Sequence, residues 1–185
     1  MIRALIVIVF TSMLSISTAA MPPFENDDCG AAVDGLQMCL AASGSNLQLT
    51  LGNVGDHDIT VNLGIMLANG KVQLPDRVMI KFTDAQGKAR VFKFSDFKYG
   101  AIAGRVDHYL VPLRVGSTYT LQLRLDQFWC QETKEFSIPL LAGENRLTAQ
   151  FQGTSATQVN LDMGGVALMN FWLGKAESNT LTLLR

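Results

Sequence analysis

Only two histidines occur in the chain, and each has an aspartate beside it: Asp56 and Asp58 flank His57, and Asp107 precedes His108. Imidazole with carboxylate is the chemistry of a general base. In a hydrolytic triad, however, the aspartate orients the histidine across space, and a nucleophile must reach the other ring nitrogen. No Gly-x-Ser-x-Gly elbow supplies that nucleophile, so both histidines read as surface residues. A glycosidase-like carboxylate pair needs no motif, and a secreted hydrolase with carboxylate chemistry stands as one alternative. Asp56-His57-Asp58 and Asp27-Asp28 offer metal donors, but His-Glu-x-x-His and Cys-x-x-Cys are both absent. Gly100-Ala101-Ile102-Ala103-Gly104-Arg105 has two glycines without the Lys-Ser/Thr that completes a phosphate-binding loop. The expectation is no catalytic residue, no metal and no cofactor.

Cys29, Cys39 and Cys130 make an odd count. In an oxidising compartment this means one pair and a spare thiol, or an intermolecular bond. Cys39 lies in an alternating stretch, on the face opposite Leu36, Met38 and Leu40. Cys130 follows Phe128-Trp129, which makes a Cys39–Cys130 staple one possibility; Cys29 is equally available, and the sequence does not choose. A catalytic thiol would want a histidine partner, and none is near in the chain.

The binding candidates are aromatic. Phe97, Tyr99, Tyr109, Phe128, Trp129, Phe171 and Trp172 fall largely in predicted loops. Rings gathered at one end of a β-sandwich form a platform for sugar rings or a protein partner; their competing use is to cap that end and fill core. Tyr99, Tyr109, Trp129 and Trp172 are the candidate ligand-binding residues, and residues 97–104 and 128–133 the candidate contact loops. The apolar, glycine-rich stretch 163–169 reads as a sandwich edge or a sticky loop.

These side chains sit in a chain of 185 residues with 15 basic and 16 acidic side chains. Residues 1–20 read as a secretory signal peptide, with Arg3, an apolar run of roughly 13 residues where a spanning helix needs about 20, and small residues up to Ala20. Loss of Arg3 would leave the remainder at 14 basic against 16 acidic, which gives no field for nucleic acid. No second segment is long and apolar enough to span a bilayer, and no Asn-x-Ser/Thr acceptor occurs. The expected setting is secreted or periplasmic.

Residues 21–34 are polar and read as a flexible lead-in, and 35–185 as one domain. There the dominant period is two: Leu47, Leu49 and Leu51; Ile59, Val61 and Leu63; Val78, Ile80 and Phe82; Phe92 and Phe94; Tyr119, Leu121, Leu123 and Leu125; Leu147, Ala149 and Phe151; Leu181 and Leu183. Each run has one apolar face, as in antiparallel sheets packed on one side, and turns such as 53–56 and 84–87 separate them. The pattern predicts an all-β fold, an immunoglobulin-like antiparallel two-sheet β-sandwich of about nine strands.

The stretches 140–151 and 170–180, with Phe128-Trp129 and Glu135-Phe136, resemble uncharacterised secreted bacterial immunoglobulin-like β-sandwich proteins. Asn145 departs from that pattern, because an aromatic usually stands two places after the glycine, and a tyrosine-corner hydrogen bond is not available there. The turn at Asn53, Gly55 and Asp56 and the Asp84–Lys88 hairpin are similar to bacterial intracellular proteinase inhibitor domains. Together these imply an exported, non-enzymatic module that binds an unknown protein or glycan, with a protease inhibitor acting through a rigid loop as the first alternative. Oligomeric state has no signal in the sequence.

Overall fold

A computed structural model describes residues 28–95, 106–156 and 169–185. The leader, residues 21–27, Tyr99, loop 97–104 and residues 163–168 lie outside them. The described chain is all-β and antiparallel, with strands β1 (Leu36–Ser43), β2 (Asn46–Asn53), β3 (Ile59–Leu67), β4 (Val72–Leu74), β5 (Val78–Thr83), β6 (Ala89–Phe94), β7 (Asp107–Leu113), β8 (Thr118–Arg124), β9 (Phe128–Cys130), β10 (Glu135–Phe136), β11 (Glu144–Gln152) and β12 (Lys175–Leu184). They form a six-stranded sheet ordered β10-β9-β6-β5-β11-β12 and two three-stranded sheets, β1-β2-β8 and β4-β3-β7.

Twelve strands stand where about nine were expected. The excess is the short strands β4, β9 and β10, whose three or two residues show no convincing period. Four of the longer strands make one ribbon broken in two. β2 pairs with β8 up to Gly52↔Thr118, and β3 takes up with β7 at Ile59↔Leu113. The two ladders are one antiparallel ribbon, bent where residues 53–58 oppose residues 114–117. Asn53 holds the bend. Fully buried, it donates from Nδ2 to the carbonyls of His57 (2.9 Å) and Leu113 (3.0 Å) and accepts from the Gly55 amide through Oδ1 (3.0 Å).

Alternation then does what periodicity predicts. Leu47, Leu49 and Leu51 of the ribbon meet Phe82, Phe92, Phe128 and Phe151 of the six-stranded sheet in one core, all essentially without solvent contact. Burial of each such side chain contributes about 1.5–3 kcal/mol before entropy is subtracted. β3 is the exception, since it is buried on both faces from Ile59 to Gly64. Its outer edge is covered by chain: Thr60 exchanges backbone hydrogen bonds with Asn170 and Trp172, and Asn62 donates to the Ser155 carbonyl.

Side-chain amides also close the other gaps. β12 carries a bulge, where Thr148↔Thr180 passes to Gln150↔Glu177, and it turns Asn179 toward β1. There the Asn179 amide accepts from Leu40 N (2.7 Å) and donates to Leu40 O (3.0 Å), joining the ribbon to the six-stranded sheet without a ladder. Asn145, fully buried, accepts from Leu141 N and donates to Leu141 O and Gly143 O. It brackets the turn at which the resemblance would place an aromatic.

The disulfide is Cys29–Cys39, and Cys130 is a buried free thiol. The Cys39–Cys130 option fails because those side chains lie on opposite sides: β9 turns Cys130 into the core with Phe128, while Cys39 shares a strand with the inward Met38 and Leu40 and faces the other way. The bridge attaches the last residues of the expected lead-in to the sandwich. Gly30 N donates to Met38 O, Val33 and Leu36 exchange backbone hydrogen bonds, and the Trp172 indole donates to Val33 O (2.9 Å).

Candidate functional site

The structure sorts the aromatic candidates by face. Trp172 is buried at 3% exposure and stacks on Phe151, with centroids 5.5 Å apart and rings 16° from parallel. It fills core and presents no platform. Tyr109 is buried as well, at 3%. Its hydroxyl donates to Gln73 Oε1 (2.8 Å) and meets the Tyr119 hydroxyl at 2.6 Å. Burial first, then the Tyr119 hydrogen bond, push the Tyr109 hydroxyl well above the usual tyrosine range. The two tyrosines and Gln73 line a cleft of about 170 Å³, smaller than the roughly 300 Å³ from which small-molecule sites begin. Tyr99 lies outside the described residues. The three described candidates are not brought together, and of these Trp129 alone faces out.

Residues 128–133, expected as a loop, start with strand β9. In β9, Phe128 and Cys130 point into the core, so Trp129 points to the outer face of the six-stranded sheet. Directly opposite on β10 is Phe136, 59% exposed, with its ring 6.2 Å from that of Trp129 and 25° from parallel. Opposite Trp129 on the other side is Lys93 of β6. The registers carry this row across all six strands: Phe136, Trp129, Lys93, Met79, Gln150, Glu177. A second row beside it holds Val91 (41% exposed), Lys81, Thr148 and Thr180.

The charges on this face are unevenly matched. Lys81, Lys93 and Lys134 are exposed, and among the described residues none of them makes an ion pair. Lys134 Nζ lies 5.5 Å from the Trp129 ring centroid, a cation–π contact. At the far end, Gln150 donates to the Glu177 carboxylate at 2.7 Å, and the Thr148 and Thr180 hydroxyls meet at 3.0 Å.

Beneath the β9–β10 hairpin sits one buried cation. Arg90, its side chain 6% exposed, donates to Asp84 Oδ2 at 2.9 Å and to Glu135 Oε2 at 2.6 Å, with its guanidinium over the rings of Phe82 and Phe92 at 5.3 and 5.9 Å. Glu135 also accepts from the Thr133 hydroxyl. That bond, reinforced by Arg90, holds its carboxyl below the usual range. The cluster ties the hairpin carrying Lys134 and Phe136 to β6.

Elsewhere, His57 and Asp56 form an exposed pair (Nδ1···Oδ1 2.7 Å) in the ribbon corner, and His108 lies on β7 opposite Ile65. The two histidines do not share a site. Among the described residues no group of three or more His, Cys, Asp or Glu side chains is assembled as a metal cluster would require, and no helix is long and apolar enough to cross a membrane.

The sequence reading missed Phe136, Lys93, Lys134 and Val91 as site residues. A period-two signal exists for two of them, since Val91 and Lys93 alternate with Phe92 and Phe94. It points to no shared face while 128–133 reads as a loop, because Trp129 then has no side of the sheet.

The fold and this face define a class: an antiparallel β-sandwich with an aromatic and cationic row on one outer sheet. Compared with protein-family models, with curated proteins and with solved structures, the chain finds no match.

Proposed function

We propose that the chain is an exported, non-enzymatic, immunoglobulin-like β-sandwich module that binds a protein or glycan partner through the outer face around Trp129 and Phe136. The carrying observation is the cross-strand aromatic pair with Phe136 59% exposed, on a molecule whose core is already filled by other rings. Large apolar side chains turned to solvent in a group mark contact surfaces. The disulfide and the resemblance to secreted bacterial sandwiches support export. The test is capture of partners from the native secretome or periplasm, and a glycan array, with the parent and a Trp129→Ala/Phe136→Ala double variant. Loss of the ligand with an unchanged circular dichroism spectrum is expected. Unchanged binding by the double variant refutes the assignment.

One observation favours protease inhibition as a second reading. The Ala85–Ala89 tip is exposed yet stiffened, because Asp84 Oδ1 accepts from the amides of both Gln86 and Lys88. Stoichiometric inhibition in a protease panel would promote it, and none would remove it.

A further inference from the structure

We infer that the outer face takes an acidic oligosaccharide, a polymer bearing both carboxylates and hydroxyls, laid across the strands. The inference rests on the binding-module reading above and narrows its ligand class. Size argues first. Six strands at roughly 4.8 Å spacing give a row about 24 Å long, and the useful strip is two side-chain rows deep. Its area falls far below the ~800 Å² per partner of a stable protein interface, whereas an extended chain molecule needs no more.

Charge argues second. Lys93 is in the row next to Trp129, Lys81 is in the adjacent row beside Val91, and Lys134 reaches over the Trp129 ring. These are three cations without an ion-pair partner among the described residues. The nearby carboxylates are Glu132, in the 131–134 turn, and Glu135, which shares the Arg90 guanidinium with the buried Asp84; three lysines outnumber Glu132 and the one negative charge that cluster leaves. The aromatic end is therefore cationic and calls for an anion.

The far end argues third, and separates a sugar from an acidic peptide. There the row finishes in Gln150 and Glu177, with Thr148 and Thr180 alongside. Glu177 repels a ligand whose only side groups are carboxylates but accepts hydrogen bonds from hydroxyls, and the amide and hydroxyl side chains both donate and accept. Only a ligand carrying both groups satisfies both ends. The Trp129–Phe136 pair, with Phe136 59% exposed, supplies the apolar surface a sugar ring needs.

The experiment is calorimetric titration of the full chain with an oligogalacturonide, a neutral cello-oligosaccharide and poly-glutamate, at low and high salt. The acidic saccharide is expected to bind, more weakly as salt rises. A Lys81→Gln/Lys93→Gln/Lys134→Gln variant should lose about tenfold or more in affinity. These exposed substitutions leave the core untouched, and circular dichroism checks the fold. Equal binding of the neutral saccharide, binding of poly-glutamate alone, or no binding of the oligogalacturonide each overturns the inference. If Trp129→Ala/Phe136→Ala still abolishes capture of a native partner in those cases, the binding-module reading stands. If that capture is unaffected, both fall.

Discussion

Asn53→Ala tests how the ribbon is bent. The side chain is fully buried and makes three hydrogen bonds, to the carbonyls of His57 and Leu113 and from the Gly55 amide. Alanine keeps the backbone bonds of residue 53 to Ser117 and Gly116 and deletes all three side-chain bonds. The Leu113 carbonyl is then stranded in the interior at about 1–3 kcal/mol, while the His57 and Gly55 groups lie near the surface, recover water and cost roughly 0.5–1 kcal/mol each. The expected loss is about 2–5 kcal/mol, read as a lower urea midpoint at unchanged m. In Tm it amounts to roughly 5–15 °C for a domain of this size. Asn53→Asp is the sharper probe. It keeps an acceptor for Gly55 but sets a carboxylate against two carbonyl oxygens, so at pH 7 it should be less stable than Asn53→Ala. Burial and those carbonyls raise the folded-state pKa of the new acid above its unfolded value of about 3.9. The folded state then binds more protons than the unfolded state between the two values, and stability is regained as pH falls through the folded pKa. The gap between the aspartate and alanine variants should therefore narrow on acidification. An alanine variant within about 0.5 kcal/mol of the parent, or an aspartate variant no worse than alanine at pH 7, would refute the bracket argument.

Cys29→Ser opens the disulfide and should cost roughly 2–3 kcal/mol in chemical denaturation for so short a loop. Alkylation without reductant should give no adduct on the native protein and one after unfolding, since only Cys130 is free and it is buried; a native adduct would contradict the assignment. Ultraviolet titration should show Tyr109 remaining protonated when ordinary tyrosines ionise. Because its folded pKa is raised, the unfolded state loses the proton first, and stability should fall as pH rises through about 10. Gly64→Ala should cost about 2 kcal/mol or more, because at φ 145° an added Cβ would lie 2.3 Å from Asp76 Oδ1 and 2.4 Å from the Leu74 carbonyl. Thermal unfolding reads this directly, with Gly116→Ala, which has open space around it, as the milder comparison. Arg90→Met leaves Asp84 buried without its cation and should destabilise by about 3–5 kcal/mol in denaturant unfolding, whereas Lys93→Gln should change stability by less than about 0.5 kcal/mol.

The all-β class and most inward positions were legible in the sequence because a strand buried on one face writes a period of two. Leu47, Leu49, Leu51, Phe92 and Phe94 are buried as that period requires. The misses have a common physical cause. β3 is covered on both faces, so its alternation carries no information about which side meets the core. Strands as short as β9 and β10 complete barely one period. A polar asparagine carries no core signal, yet Asn53, Asn62 and Asn179 each bond backbone groups of remote segments; such pairings depend on chain distant in sequence, and no local pattern encodes them. Trp172 followed the same logic. Its stacking partner Phe151 and its acceptor Val33 are both remote, so the sequence leaves core capping and a binding platform both open for it.

The candidate face is hidden in the sequence for a further reason. The chain uses its two kinds of cation differently on the two sides of one hairpin. Arg90 on the inner side spends its planar fork on two carboxylates and its guanidinium face on two rings, an arrangement a lysine cannot reproduce. On the outer side stand Lys93 and Lys134, strongly hydrated point charges without a carboxylate partner among the described residues. Elsewhere on this sheet exposed side chains do find partners: Arg146 pairs with Glu144 two residues before it on β11, and Gln150 finds Glu177 across the ladder. The positions directly across from Lys93 are instead Trp129 and Met79. Three lysines around the Trp129–Phe136 pair, none of them in an ion pair among the described residues, are what the proposed contact with an anionic ligand calls for.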